Sequence, residues 1–191
     1  GYKKVLNTHS REGSMVKLGN GDLLFVYRKG LDGQHTSNES AIYAIRSTDE
    51  GDTWGDPYLV YDTPGRDDRN IAAGEDGNGG VIVVWRVFDA DTATSDGAFS
   101  IHSTDGVTWT TPSVFASSNN VDLVYQKLVP RPDGVYALSK DDAGFHLNRT
   151  SDNGLNWVRL TTVVTLSDYS LPFVEPFLID LPNGNSLILA R

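Results

Sequence analysis

Apolar and polar residues along the chain form a hairpin pattern that occurs four times. In each copy a strand leads through a Gly-containing turn into a second strand that is apolar almost throughout and ends in a basic residue. The four copies, each 17 residues long, are 12–28, 70–86, 124–140 and 175–191. Asn-Gly and Asp-Gly turns between apolar stretches favour tight hairpins, because Gly and Asn accept the positive φ that such turns require. Continuous apolar second strands, such as VIVVW in the second copy, are typical of inner strands packed on both faces.

Each of the first three hairpins is followed by a polar loop, a third strand, a turn that ends in tryptophan, and a fourth strand. The third strands read AIYAIRS, AFSIHS and GFHLNRT, and the fourth strands read PYLVY, PSVFA and RLTTVV. The turn tryptophans Trp54, Trp109 and Trp157 lie 55 and 48 residues apart, a period that suits a four-stranded unit. No helix is predicted. We therefore predict an all-β fold in which four-stranded antiparallel units are the blades of a β-propeller.

The repeat also divides the chain into blades. The predicted bounds are about 9–61 for blade 1, about 67–116 for blade 2, about 122–166 for blade 3 and about 172–191 for the first half of blade 4. Three and a half blades do not close the usual ring. We therefore expect the chain to be the N-terminal part of a propeller domain, with the remaining blades supplied by missing sequence or by another chain.

Composition narrows the range of partners. The formal net charge is −9 and the pI is about 4.7, which argues against nucleic acid or an anionic membrane surface as the main partner. An anionic ligand would need a local cluster of arginines.

There is no cysteine, which excludes disulfides and thiolate metal sites, and neither a metal nor a cofactor is predicted. No apolar run reaches the length of a membrane-spanning helix.

The three tryptophan turns carry a motif. They read STDEGDTW at 47–54, STDGVTW at 103–109 and TSDNGLNW at 150–157. The first resembles in full the Asp box, S-x-D-x-G-x-T-W, of the sialidase (neuraminidase) superfamily, also called the BNR repeat; the resemblance implies a six-bladed propeller. We expect folding roles for Asp49, Asp105 and Asp152, because an Asp can accept hydrogen bonds from the backbone of its own turn.

The opposite face of the predicted propeller collects the starts of first strands and the ends of second strands. Propeller sites form where such elements converge. Arginines and carboxylates concentrate there, which suits an anionic sugar, because a guanidinium donates paired hydrogen bonds to a carboxylate. The arginines nominated as substrate-binding residues are Arg11, Arg28, Arg69, Arg86 and Arg191.

The sialidase pattern implies specific roles for some of these residues. SREGSMV supplies Arg11 where the family has an Arg opening its first inner strand, although Glu-Gly replaces the family's Ile-Pro. EPFLIDLPNGNSLILAR fits the family's Glu-to-Arg spacing, which nominates Glu175 as catalytic and Arg191 as substrate-binding. In sialidase-like chemistry the Glu makes a Tyr nucleophile more basic; that Tyr and a third Arg would lie in later blades. Glu12 and Arg28 share the same offset, so a basic strand end can also simply pair with a neighbouring acid.

Two positions depart from the family pattern. The general acid Asp of the family falls on His35 in GLDGQHTSNES, and Asp32 lies three residues away. Both are candidate catalytic acids; a histidine can act near neutral pH, although a loop histidine is more often a solvated side chain. The family's second site-facing Asp corresponds to Asn70, with Asp67 and Asp68 close by.

These residues predict a sialidase-like, exo-acting glycoside hydrolase that acts on the terminal acidic sugars of glycoconjugates. The alternative, favoured by His35 and Asn70, is a non-catalytic glycan-binding propeller. A protein-assembly propeller would explain the Asp boxes but not the spacing of Arg and Glu. The expected partner is an acidic glycan, and the expected location is outside the cell or at its surface.

Overall fold

Four β-sheets follow one another along the chain in the computed structural model, which describes residues 10–30, 33–116, 123–124, 126–165 and 175–189. The strands are β1 (Ser10–Lys17), β2 (Leu23–Gly30), β3 (Ser40–Ser47), β4 (Tyr58–Tyr61), β5 (Asp67–Glu75), β6 (Val81–Asp89), β7 (Thr94–Ser103), β8 (Ser113–Ala116), β9 (Leu123–Val124), β10 (Gln126–Lys127), β11 (Val129–Arg131), β12 (Gly134–Asp141), β13 (Gly144–Thr150), β14 (Val158–Thr165), β15 (Phe177–Asp180) and β16 (Ser186–Leu189). Within these described ranges there is no helix, and hence none that could span a membrane.

The sheet topology repeats from unit to unit. Strands β1 to β4 form the sheet of blade 1, β5 to β8 that of blade 2 and β11 to β14 that of blade 3, each in sequential order. Strands β15 and β16 form a separate two-stranded sheet, the fourth along the chain. Neighbouring strands within each blade are antiparallel. The predicted all-β architecture of four-stranded antiparallel units is therefore confirmed.

The opening strand of blade 3 differs from the single strand that the repeat predicts. It is divided into three pieces: β9 pairs with β12, β10 pairs in parallel with β5 of blade 2, and β11 returns to β12. The backbone N–H of Leu128 also donates to the carbonyl of Ala73 at 3.2 Å. A Cβ on Gly74 would stand 2.5 Å from the Leu128 carbonyl oxygen, so glycine is needed where the innermost strands of blades 2 and 3 meet.

The hydrophobic core lies between blades. On β6, Val83 belongs to a cluster with Val26 of blade 1, whereas Ile82 belongs to a cluster with Val135 of blade 3. All four side chains are buried. Because successive side chains of a strand point to opposite faces, a strand between two neighbours must be apolar at every position, as the VIVVW sequence indicated.

The same alternation continues into the next layer. On β12, Val135 and Ala137 face blade 2, while Tyr136 and Leu138 pack with Leu178 of β15. The start of a first strand pairs with the end of the second strand in blades 1 and 2, and this end of the sheets carries Arg28, Arg69 and Arg86.

Candidate functional site

The Asp boxes are closed hydrogen-bonded turns. In the first box, Ser47 Oγ donates to Asp49 Oδ1 at 2.8 Å and accepts from the Gly51 N–H at 2.8 Å, and Asp49 accepts from the Thr53 N–H at 2.7 Å and the Thr53 hydroxyl at 2.6 Å. The Thr53 and Ser47 bonds lower the pKa of Asp49 to about 2. The other boxes repeat this arrangement at Asp105 and Asp152.

Each later box is also bonded to the blade before it. Tyr58 of blade 1 donates its hydroxyl to the Gly106 carbonyl of the second box at 2.6 Å. In the same way Ser100 of blade 2 donates to the Gly154 carbonyl at 2.6 Å and accepts from Trp157 Nε1 at 3.1 Å. The box carboxylates are thus used within the turn and the box carbonyls between blades, which is the arrangement expected of folding elements.

On the opposite face, three first strands begin with the same backbone distortion. Glu12, Asn70 and Glu175 have φ values of 50°, 54° and 56°. In β1 and β5 the pairing register shifts at this point, so each residue lies in a bulge. Non-glycine residues in this region cost about 1–3 kcal/mol and cluster at functional sites, and bulges re-aim side chains next to such sites. The repeat itself contained the signal, since the three residues align in the 17-residue copies.

Glu12 connects two blades, which the sequence did not indicate. Its carboxylate accepts a hydrogen bond from the backbone N–H of Asn70. This bond links the bulge in β1 to the bulge in β5. It also fixes the backbone of Asn70 and hence the direction of the Asn70 side chain. Among the described residues, the side-chain oxygen of Asn70 is buried and has no hydrogen-bond partner.

Arg28 lies inside the contact between blades 1 and 2. Its Nε and Nη2 atoms donate to the two carboxylate oxygens of Asp67 at 2.8 and 2.9 Å, and Nη2 also donates to Ser40 Oγ at 2.8 Å. The Arg28 and Asp67 side chains are 1% and 0% exposed. A basic residue at the end of a second strand was expected either to bind substrate or to pair with a neighbouring acid. The geometry of Arg28 is that of a pair with a neighbouring acid.

Arg69 and Arg86 lie directly opposite each other in the β5–β6 pair. Their guanidinium carbons stand 5.2 and 4.6 Å from the centroid of the Phe88 ring. Arg69 contacts Asp67 at only 3.5 Å, so Arg28 and Arg69 share one carboxylate and the group of three side chains keeps a positive charge. Within the described part of the chain, Arg69 Nε is buried without a hydrogen-bond partner.

The loop between β2 and β3 carries His35 and is tied to blade 2. Arg69 Nη1 donates to Thr36 Oγ1 at 3.1 Å, and the Ser37 N–H donates to Asp67 at 3.1 Å. Asn38 accepts from the Ala90 N–H at 2.8 Å. His35 is exposed and directly precedes Thr36, so the structure brings its loop beside Arg69.

The remaining nominated residues are Glu175, Arg11, Asp32 and Arg191. Glu175 is exposed and lies two residues before the start of β15. The backbone of Arg11 pairs with that of Arg28, which puts Arg11 and Arg69 at equivalent positions of blades 1 and 2. Asp32 and Arg191 lie outside the described residues.

Asp68 is a buried carboxylate at the same end of blade 2. It accepts hydrogen bonds from the Thr63 N–H at 2.7 Å, the Thr63 hydroxyl at 2.8 Å and Trp85 Nε1 at 2.9 Å. Burial nevertheless raises its pKa to about 6.

In the part of the chain that the structure describes, no cluster of three or more His, Asp or Glu side chains could hold a metal ion.

Solved structures that are similar to this chain include the following three. A protein of unknown function from Dyadobacter fermentans matches 100% of this chain and 64% of its own, with a TM-score of 0.78 and 18% identity. The α-L-arabinanase of Penicillium chrysogenum, solved with arabinobiose, matches 95% of this chain and 57% of its own, with a TM-score of 0.67 and 20% identity. The NanB sialidase of Streptococcus pneumoniae matches 98% and 49%, with a TM-score of 0.76 and 10% identity.

These likenesses concern the fold. They confirm a propeller-type fold that glycoside hydrolases also have, and the chain spans between about half and two thirds of the length of the structures it matches. No protein-family model and no curated protein sequence matches the chain.

Proposed function

We propose that the chain is part of a sialidase-like glycoside hydrolase of the Asp-box superfamily that acts on terminal acidic sugars of glycoconjugates. The observation that carries the proposal is the Arg69–Arg86 pair, two arginines on one aromatic ring at the end of the blades where second strands finish. A cationic pair in a chain of net charge −9 indicates a site for an anion. The likeness to a sialidase fold supports the same assignment.

In this proposal the arginines hold the sugar carboxylate and the carboxyl side chains carry the proton chemistry. Arg11, Arg69, Arg86 and Arg191 are the binding residues, because guanidinium groups pair with carboxylates through charge-assisted hydrogen bonds. Glu175 raises the basicity of a Tyr nucleophile that later blades supply, either from further sequence or from another chain. Location outside the cell or at its surface belongs to the same proposal.

Hydrolysis needs a proton donor for the leaving-group oxygen. In this proposal the donor lies in the loop between β2 and β3. His35 is exposed there and its loop is anchored to Arg69 through Thr36. It is the first candidate for general acid, since an imidazolium donates a proton efficiently near neutral pH. Asp32 is the second candidate.

A non-catalytic glycan-binding propeller is the second candidate function. Two observations favour it: Asn70, which cannot ionise, stands where the sialidase pattern has an Asp, and Arg28 is fully enclosed in a pair with Asp67. Such a protein would use the arginines to bind an acidic glycan without cleaving it.

The test is turnover of an aryl glycoside of N-acetylneuraminic acid by the full-length protein, with an aryl α-L-arabinofuranoside as the neutral comparator. Glu175→Gln is expected to lower kcat at least about 100-fold, the scale of a lost general base. The matched control is Glu50→Gln, since Glu50 is also an exposed glutamate at positive φ (58°) but lies in an Asp box. Binding of an acidic glycan without turnover would establish the non-catalytic glycan-binding propeller instead. Turnover of the arabinofuranoside alone would contradict the assignment of an acidic sugar as the substrate.

A further inference from the structure

A pocket of about 200 Å³ opens between blades 1 and 2, and none of its lining residues belongs to the arginine group described above. Three aromatic residues form its walls, Tyr61 of blade 1 and Trp85 and Phe99 of blade 2. The Trp85 ring centroid is 5.1 Å from that of Tyr61 and 6.1 Å from that of Phe99, with interplanar angles of 47° and 36°. The rings thus form a bent aromatic wall, with Trp85 fully buried behind the other two.

The side chains of this wall are held from behind by one buried group. Asp68 accepts hydrogen bonds from Trp85 Nε1 at 2.9 Å and from the Thr63 hydroxyl at 2.8 Å, and Thr63 also lines the pocket. The Trp85 ring and the Thr63 hydroxyl are therefore fixed before any ligand arrives. Binding sites are typically largely formed in advance, with mostly apolar walls and a few placed polar groups.

A hydrogen-bond acceptor in the pocket lining stands beside a donor, Arg66, that lies next to the lining. Asp96 lines the pocket and accepts a hydrogen bond from Arg66 Nε at 2.6 Å. Arg66 also stands 3.7 Å from Asp89. A carboxylate and a guanidinium side by side can bond hydroxyl groups, which both donate and accept.

We propose that this pocket binds a neutral sugar ring, at a site separate from the acidic-sugar site. The apolar C–H face of a sugar ring packs on aromatic side chains, while its hydroxyl groups meet the Asp96 and Arg66 rim. An anion is disfavoured because Asp96, Asp89 and Asp68 outnumber Arg66. The volume suits one ring, since pockets for drug-sized ligands begin at about 300 Å³.

The experiment is a titration of the full-length protein with methyl β-D-galactopyranoside and methyl α-L-arabinofuranoside, followed by tryptophan fluorescence and by calorimetry. Saturable binding of at least one of them is expected, weakened at least about 5-fold by Phe99→Leu, which removes an aromatic face of the kind worth about 1 kcal/mol. Phe25→Leu is the matched control, because Phe25 is also half-buried on a blade strand but lies outside the pocket. Asp96→Asn, at a half-exposed side chain, tests the rim should Phe99→Leu fail to fold.

Glu175→Gln should leave the affinity for the neutral methyl glycosides unchanged. A failure of the proposed hydrolysis can then be distinguished from a failure of the proposed pocket. Absence of saturable binding by either glycoside up to concentrations on the order of 100 mM, far above ordinary site affinities, would overturn the proposal. So would unchanged affinity in both Phe99→Leu and Asp96→Asn.

Discussion

Arg28 of blade 1 and Asp67 of blade 2 form a two-point ion pair, with N···O distances of 2.8 and 2.9 Å, that is enclosed between the blades. Taking two charges out of water is costly unless geometry and further hydrogen bonds compensate. Here Ser40 and the Ser37 N–H complete the bonding. The pair therefore fixes how blade 2 sits on blade 1 and anchors the loop that carries His35.

Breaking this pair should strongly destabilise the fold. Asp67→Asn leaves the Arg28 guanidinium enclosed without its counter-charge, which costs about 3–5 kcal/mol when one partner of a buried pair is removed. The free energy of unfolding in urea measures the loss. Asp96→Asn is the control, since the Arg66–Asp96 pair is solvent-accessible and should contribute far less. An Asp67→Asn protein within 1 kcal/mol of the wild type would contradict the role assigned to the pair.

Blade order could be predicted because its signals are local. The turn STDEGDTW bonds almost entirely to itself, so its sequence is sufficient to recognise it. The partner of Arg28 could not be predicted, since Asp67 is 39 residues away in sequence and their contact depends on how two blades face each other. The 16-residue offset shared by Glu12–Arg28 and Glu175–Arg191 likewise reflects hairpin geometry and says nothing of burial.

The contact between blades 2 and 3 predicts a strict requirement at Gly74. A Cβ there would meet Leu128 at 2.5 Å from its carbonyl oxygen and 2.7 Å from its Cβ. Neither atom can swing away without moving the backbone of the divided strand. Gly74→Ala should therefore cost about 1–3 kcal/mol, the range for inserting a methyl group into a packed core.

Gly55→Ala is the comparison for Gly74→Ala. The nearest atom to a Cβ at Gly55 is the Arg46 carbonyl oxygen at 3.6 Å, an ordinary contact. Thermal unfolding of both variants gives the answer, and equal midpoints would show that blades 2 and 3 do not approach as closely as Gly74 and Leu128 indicate.

Asp68 predicts a pH dependence of stability. Burial raises its pKa from the ordinary 3.8 to about 6, so the native state holds this proton more tightly than the unfolded chain does. Well below pH 3.8 the Asp68 carboxyl is protonated in both states; well above pH 6 it is ionised in both and the native state carries the full penalty. The unfolding free energy contributed by Asp68 should therefore fall by about 2 kcal/mol as pH rises from 4 to 7.

Asp68→Asn is the reference for that measurement, because it retains an acceptor for Trp85 Nε1 but cannot ionise. The difference in unfolding free energy between the wild type and Asp68→Asn, measured at pH 4, 5, 6 and 7, isolates this one group from the other carboxylates. A difference that stays constant over that range would mean that Asp68 titrates normally.

Arg69 should matter to an anionic ligand more than any other described arginine. Its Nε is buried without a hydrogen-bond partner among the described residues, and an unmade bond of this kind costs about 1–3 kcal/mol in the free protein. The side chain as a whole is 12% exposed, so a ligand carboxylate that reaches the rest of the guanidinium adds a charge-assisted bond. Arg69→Gln should accordingly weaken binding of N-acetylneuraminic acid by about 10–100-fold, the equivalent of 1.4–2.8 kcal/mol, and leave binding of a neutral methyl glycoside unaffected.

Arg131→Gln is the matched control, since Arg131 lies in the β11–β12 hairpin and pairs with Asp180 in the fourth sheet. Equal losses for the acidic and the neutral ligand would show that Arg69 acts only by holding Thr36 and its loop.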